Sequence, residues 1–345
     1  MKWKFKLFVL LMGMLPLTLQ AADYTKQVHQ GFVKSQITAL DITNKFGMIE
    51  INDLGGDSVT VDALITVESM NEAKANQLLD QIRIDIRRSG GLLAVKTILT
   101  ENFKTKQNFS INYRINIPKD RNLTVSNKFG NVVLNELEGK GNFVIAYGNL
   151  TTGALNVQAG TDFWLDLSYG KADIESVNQL AGEINYSKIY IGHAGKMKLE
   201  SKYSGLNVQK LENLQLESKY DGVSIEEGGS ILANSKYTNY KIGALSKELK
   251  LNTEYGSVRV DEVKPDFNRI EITNSYGGIT LGLDRATYQL NAECDYCDIQ
   301  YPADKFQGNR LKENTRLKVQ GQVGNGDTNR QVTVTSRYGS LKLTE

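Results

Sequence analysis

Few side chains in this chain could do chemistry, and their spacing limits what that chemistry would be. Cys294 and Cys297, in the phrase CDYC, are its two cysteines, and His29 and His193 its two histidines. Two thiolates with two histidines so far apart make a poor zinc set, so we expect no metal and no cofactor. A redox-active pair normally sits at a helix N-terminus that lowers one thiol pKa, whereas the residues around CDYC read as strand and turn. A local structural disulfide in an oxidising compartment is the favoured reading, ahead of packed free thiols and of redox or metal chemistry.

Binding chemistry is the alternative. Trp164 stands between Asp162 and Asp166, while Phe163, Leu165 and Leu167 alternate with it and claim the inward face. An outward indole between carboxylates would serve as a platform for a sugar ring, and Tyr190, outward in the same alternation, would widen it. Packing under a loop or against a partner is the plainer role for Trp164. Lys202, Lys219 and Lys236 recur at one position in three successive repeats, with Glu200 and Glu217 two residues before the first two. That is a solvated charged face first and an anionic-glycan stripe second. Asp166, Asp173, Glu183, Glu200 and Glu217 read as scattered, without the repeated carboxylate pair that glycoside hydrolysis requires. GxSxG, HExxH and P-loop patterns are absent, and GNGD at Gly324 is an isolated turn. We expect no enzyme and no catalytic residue.

The elements that must position these residues are set by a repeat. An aromatic marks one corner of each unit at Phe46, Phe129, Tyr147, Tyr169, Tyr186, Tyr203, Tyr220, Tyr237, Tyr255, Tyr276, Tyr296 and Tyr338. From Phe129 to Tyr296 the steps are 18, 22, 17, 17, 17, 17, 18, 21 and 20 residues, a period characteristic of stacked solenoid coils. Three and five residues after the corner stand apolar pairs such as Ile189/Ile191, Leu206/Val208 and Val223/Ile225. Six and four before it stand Met197/Leu199, Leu214/Leu216 and Ile270/Ile272. Alternation of period two on both sides predicts two short strands per coil, each with one face in the core. Two residues before the corner the chain is small and polar (Asn44, Asn127, Ser218, Thr253, Asn274, Ser336), suited to bonding corner groups that the ladder leaves open. The residue after the corner is usually Gly, with Ser204, Asp221 and Thr238 as variants, as a positive φ there would explain. Coils stacked at strand spacing would make a rod of roughly 50 to 60 Å. Structural stacking is the first reading of the aromatic ladder, and an exposed stripe for sugar rings the second.

Two stretches depart from the repeat. Between Phe46 and Phe129, Ser69 and Glu72 form a capping-box signal and Ala73, Leu78, Leu79 and Ile82 an apolar side, predicting one short helix in a β-rich N-terminal cap. Between Tyr296 and Tyr338, residues 302–330 would cap the other end, since bare terminal coils expose strand edges.

Lys2, Lys4 and Lys6 followed by an apolar stretch to Leu15 and by Ala21 and Ala22 read as a secretory signal too short to span a membrane. No cysteine lies near the cleavage site, so no lipoprotein anchor is expected. Removing those lysines takes the balance from 41 basic and 39 acidic residues to 38 and 39, a charge of about −1 that excludes a typical nucleic-acid binder. No later stretch is long and apolar enough for a membrane span.

The phrases ITNKFGMIEIND and LTVSNKFGNVVL, the strand YRINIPKD and the terminal GNGDTNRQVTVTSRYGSLKL together resemble the "putative adhesin" family of unknown function. They are also similar to the related auto-transporter adhesin head (GIN-type) domains of Bacteroidota-type envelopes. The resemblance runs from about Leu40 to the end and implies an exported β-solenoid with no catalytic residues; an autotransporter barrel after the repeats is not expected. The expectation is therefore an all-β parallel β-solenoid with one helix in its cap. We divide it into a signal peptide (1–21), a cap (22–122), solenoid repeats (123–301) and a closing segment with the last coil (302–345). It would act in the periplasm or at the cell surface as an adhesin-like or scaffold module, with a cell-surface glycan or an envelope protein as partner. A periplasmic sensory or stress-related binding protein and a β-helix carbohydrate-active enzyme are the alternatives.

Overall fold

The computed structural model describes residues 22–156 and 163–344. The expected signal peptide and Asp162 lie outside the described residues. The alternation has its predicted consequence: the described chain is a parallel β-solenoid, nearly all strand, with one α-helix among those residues. Each coil runs along a leading wall into the aromatic corner and leaves along a trailing wall. In the leading wall Leu199 lies beside Leu216 and Leu216 beside Ala233; in the trailing wall Ile191 lies beside Val208 and Val208 beside Ile225. All six are buried between the walls. Every such row continues through neighbouring coils, so the core is a set of aliphatic columns parallel to the rod, shielded from water on both sides.

The corner's backbone is not arranged as the glycines suggested. The left-handed residue is the aromatic itself: all twelve have positive φ, from 51° at Tyr186 to 68° at Phe46. None of the glycines that follow them does. Glycine is needed there for proximity. A Cβ on Gly130 would stand 1.9 Å from the carbonyl oxygen of Gly47, and one on Gly148 the same distance from that of Gly130. Only a residue without a side chain lets these coils close to strand spacing.

At the N-terminal end α1, Glu72–Asp80, covers the core with Ala75, Leu78 and Leu79. Two expectations are corrected. The N-cap is Asn71, whose side-chain oxygen accepts from the Lys74 N–H at 3.0 Å, rather than Ser69; and Ala73 faces solvent. Pairing of Ser69 with Ala22 holds Ser69 inside the strand Ser58–Ser69, so the helix cannot start from it.

The C-terminal end reorders the coils. Strand Gln331–Arg337 inserts between Arg269–Ser275 and Tyr288–Asp295, pairing parallel with both. The last corner in sequence, Tyr338, is therefore next to last in the stack. The hairpin of Phe306–Glu313 and Arg316–Val323 lies antiparallel beside Tyr288–Asp295 and covers that end of the leading wall.

Candidate functional site

Because every corner repeats one backbone geometry, the twelve rings fall into a single column. Their centroids are 4.7 to 5.2 Å apart and each neighbouring pair is stacked, with interplanar angles of 3° to 20°. At the N-terminal end Phe109 closes the column edge-on against Phe46. Inside the column both faces of each ring are occupied by its neighbours. What reaches solvent is a row of ring edges and phenol groups, so the stripe cannot stack sugar rings. The cationic ends of Lys45, Lys128, Lys219 and Arg337 come within 4.9 to 5.3 Å of the centroids of adjacent rings.

Behind the rings runs a second column, of which the repeat showed Ser204, Asp221 and Thr238 only as glycine variants and left Ser187 out. Ser187, Ser204, Asp221 and Thr238 occupy the position after the corner in four successive coils. The Gly170 N–H donates to Ser187 Oγ, the Ser187 N–H to Ser204 Oγ, and the Ser204 N–H to Asp221 Oδ1 at 2.7 Å. The other carboxylate oxygen of Asp221 accepts from Ser218 Oγ and from the Lys219 N–H. Burial pushes the Asp221 carboxyl above the ordinary carboxylate range, partly offset by these donors. Polar residues two before the corner act as ties as well: Asn44 donates to the carbonyl of Ile111 and Asn274 to that of Gly277. Tyr240 is buried behind the same corners, and burial pushes its phenol up to about 12.

Trp164 and Tyr190 do not share a platform. Trp164 is in the leading wall, between Asn142 and Ala181 in register, whereas Tyr190 is in the trailing wall, between Asp173 and Asn207. Both stand outward and are about 40% exposed. Trp164 borders a hollow with Thr124, Lys140 and Asn142; Asp166 lies two residues on, on the same face.

Tyr190 belongs to a groove of about 490 Å³ that crosses several coils of the trailing wall. Its walls are Asp173, Glu175, Asn207, Gln209 and Glu226, and its floor opens at Gly192, where a Cβ would lie 2.5 Å from the carbonyl oxygen of Glu175. Lys171 covers Tyr190 from 4.7 Å while pairing with Asp173 at 2.9 Å, which fixes the ring. Glu175 and Glu226 have no ion pair among the described residues. The groove continues past His193, Lys210 and Glu227 toward Glu262. It presents carboxylates and amides around one aromatic ring, the lining that hydroxyl-rich ligands require. Sequence reasoning missed all but Tyr190, because the groove exists only where small and long side chains from different coils alternate.

The lysine stripe is in register, Lys202 beside Lys219 beside Lys236. Lys219 lies over Tyr220 and Lys236 pairs with Glu254 at 3.1 Å. The acidic residues are not scattered: Asp166, Glu183, Glu200 and Glu217 form one row across four coils of the leading wall, and Asn234 continues it by donating to Glu217. Asp173 alone is on the other wall. Cys294 and Cys297 are joined in a disulfide with their Cα atoms 5.5 Å apart, at the outermost corner. No group of three or more His, Cys, Asp or Glu among the described residues could hold a metal ion. No helix among them is long and apolar enough to cross a membrane.

The profile of the Toastrack DUF4097 family matches residues 37–344. No curated protein matches the chain. Among solved structures, it is similar to a "putative adhesin" from Parabacteroides merdae at 12% identity, covering 74% of this chain and 96% of that one with a TM-score of 0.36. A "putative adhesin" from Bacteroides fragilis matches at 10% identity, over 92% of this chain and 96% of that one, with a TM-score of 0.30. A "putative cell adhesion protein" from Clostridium sporogenes matches at 9% identity, over 93% and 99%, with a TM-score of 0.21.

Proposed function

We propose that this chain, which belongs to the Toastrack DUF4097 family, is a non-catalytic, adhesin-like binding rod of the cell envelope that takes glycan chains along its trailing wall. The observation that carries the reading is the groove in which Tyr190, Asp173, Glu175, Gln209 and Glu226 converge. Carboxylates and amides accept and donate to sugar hydroxyls, and one ring face meets the apolar side of a pyranose. The groove is open and runs across the coils, which suits a polymer rather than a small enclosed ligand. Glu175 and Glu226, without an ion pair among the described residues, favour neutral or amino sugars over sulfated ones.

The same solenoid explains why such a site would sit on a rod. Each coil is held by ladders to both neighbours, so the groove is carried on a rigid scaffold and little ordering is required on binding. The test is a glycan array with intact-cell binding, comparing the wild-type protein with Tyr190→Ala, Gln209→Ala and Trp164→Ala. Loss of retention in the first two with Trp164→Ala unchanged supports the groove. Loss only in Trp164→Ala would move the site to the leading wall, and absence of any glycan retention by the wild type would sink the proposal.

A further inference from the structure

A solenoid has four outermost strands, one at each end of each wall, and three of the four are protected here. At the C-terminal end the trailing wall stops at the two-residue strand Ile299–Gln300, closed by Pro302. The leading wall stops there at Phe306–Glu313, which carries Arg310 and Lys312. At the N-terminal end the leading wall stops at Ile82–Ser89, with Arg83, Arg87 and Arg88. Short length, proline and clustered charge are the devices by which proteins keep sheet edges from pairing.

The fourth edge has none of them. β1, Ala22–Val33, pairs with Ser58–Ser69 through all twelve of its residues without a register shift, and no other strand among the described residues pairs with it. It has no proline, and its charged groups are Asp23 and Lys26, with His29 tied to Asp62 at 2.6 Å. On one face it carries Tyr24, Val28 and Phe32, half-buried and packed on the end of the core.

We propose that β1 is a dimerisation edge that pairs antiparallel with β1 of a second copy about a two-fold axis at Val28. The spacing of the side chains selects both partner and register. With Val28 opposite itself, Tyr24 faces Phe32 of the other copy and Lys26 faces Gln30, twice each by symmetry. Tyr24, Val28 and Phe32 of each copy then meet Phe32, Val28 and Tyr24 of the other on one face, with the exposed Lys26 and Gln30 pairs between them. On the opposite face Thr25 meets Gly31 and Gln27 meets His29, so no like charges oppose. Isologous pairing of this kind satisfies the outward N–H and C=O groups of both strands, and aromatic pairs across strands add to it. It joins two rods end to end with their tyrosine columns pointing apart, and it leaves both glycan grooves free, so it stands or falls independently of them.

The test is sedimentation equilibrium of the exported protein with two exposed-site variants and two cysteine variants. The wild type is expected to dimerise. Gln30→Lys places lysines opposite Lys26 at both symmetry-related pairs and should weaken the dimer roughly fivefold; Gln30→Glu should tighten it by a similar factor. Val28→Cys should cross-link to itself on mild oxidation, whereas in Gln30→Cys the two thiols lie about 13 Å apart along the strands and should not. A wild type that stays monomeric up to about 1 mM overturns the proposal. So does a dimer indifferent to both charge variants, or cross-linking of Gln30→Cys in place of Val28→Cys.

Discussion

Tyr276 stacks its ring on Tyr338, 5.0 Å away, and not on Tyr296, the next corner in sequence, which lies 4.9 Å beyond Tyr338. The chain builds its outermost coil, turns back through a hairpin, and then wedges its final strands between two coils already made. Tyr288–Asp295 consequently has no parallel partner until residues 331–337 arrive. Deleting everything after Thr328 leaves residues 288–295 only their antiparallel hairpin partner and should sharply lower amide protection across residues 288–300, while Lys188–Lys236 keeps it, because stability in a solenoid is set by nearest-neighbour coils. Hydrogen exchange on the truncated chain checks this; uniform loss of protection would mean that the rod folds as one unit.

The left-handed corner makes a tyrosine and a glycine opposite extremes. Tyr203 sits at φ 53° with a ring stacked on each side. Tyr203→Ala loses both stacks and keeps the strained backbone, at a cost of about 2 kcal/mol. Tyr203→Gly loses the same contacts but relaxes the corner, and should be more stable than the alanine variant by about 1 kcal/mol. Urea unfolding of the two variants gives the order directly.

The glycine after the corner answers to distance. Gly148→Ala drives a methyl group to 1.9 Å from the carbonyl oxygen of Gly130 and should cost about 3 kcal/mol, as coils are pushed off their ladder spacing. Gly222→Ala, whose new Cβ meets nothing within 4 Å, should stay within about 0.5 kcal/mol of the wild type. Equal melting temperatures for the two variants would refute the packing argument.

Asp221 links the corner column to pH. Its folded carboxyl binds a proton more readily than its unfolded counterpart, so between the ordinary aspartate value and the raised one the folded state holds more protons. Stability from this group is therefore greatest at low pH and falls as pH rises through that window. Asp221→Asn removes the titration. The stability difference between wild type and variant should move in favour of the wild type on going from about pH 7 to about pH 4. A difference independent of pH would show that the carboxylate is accommodated without penalty.

Part of the surface was as legible as the core. The spacing of 17 residues that aligns Lys202, Lys219 and Lys236 equally aligns Asp166, Glu183, Glu200 and Glu217, and the acidic row could have been found by the same count. The groove could not. Whether Tyr190 overlooks a gap depends on Gly192 on its own coil and on Glu175 and Gln209 on the coils either side, and one repeat alignment treats each of those as an unremarkable outward position.

The sequence by itself determined the solenoid, its family resemblance and its aromatic column, because a period-two alternation on either side of a recurrent corner can be buried in only one way and every coil repeats it. Tertiary structure alone decided that the aromatics, rather than the glycines, take the left-handed backbone, and it separated Trp164 from Tyr190 onto opposite walls. It also decided that the last corner enters the stack next to last. The physical reason is common to all three. Local pattern states which side of a strand faces the core, but close approach between coils, and the order in which coils meet, are set by contacts between residues far apart in the chain.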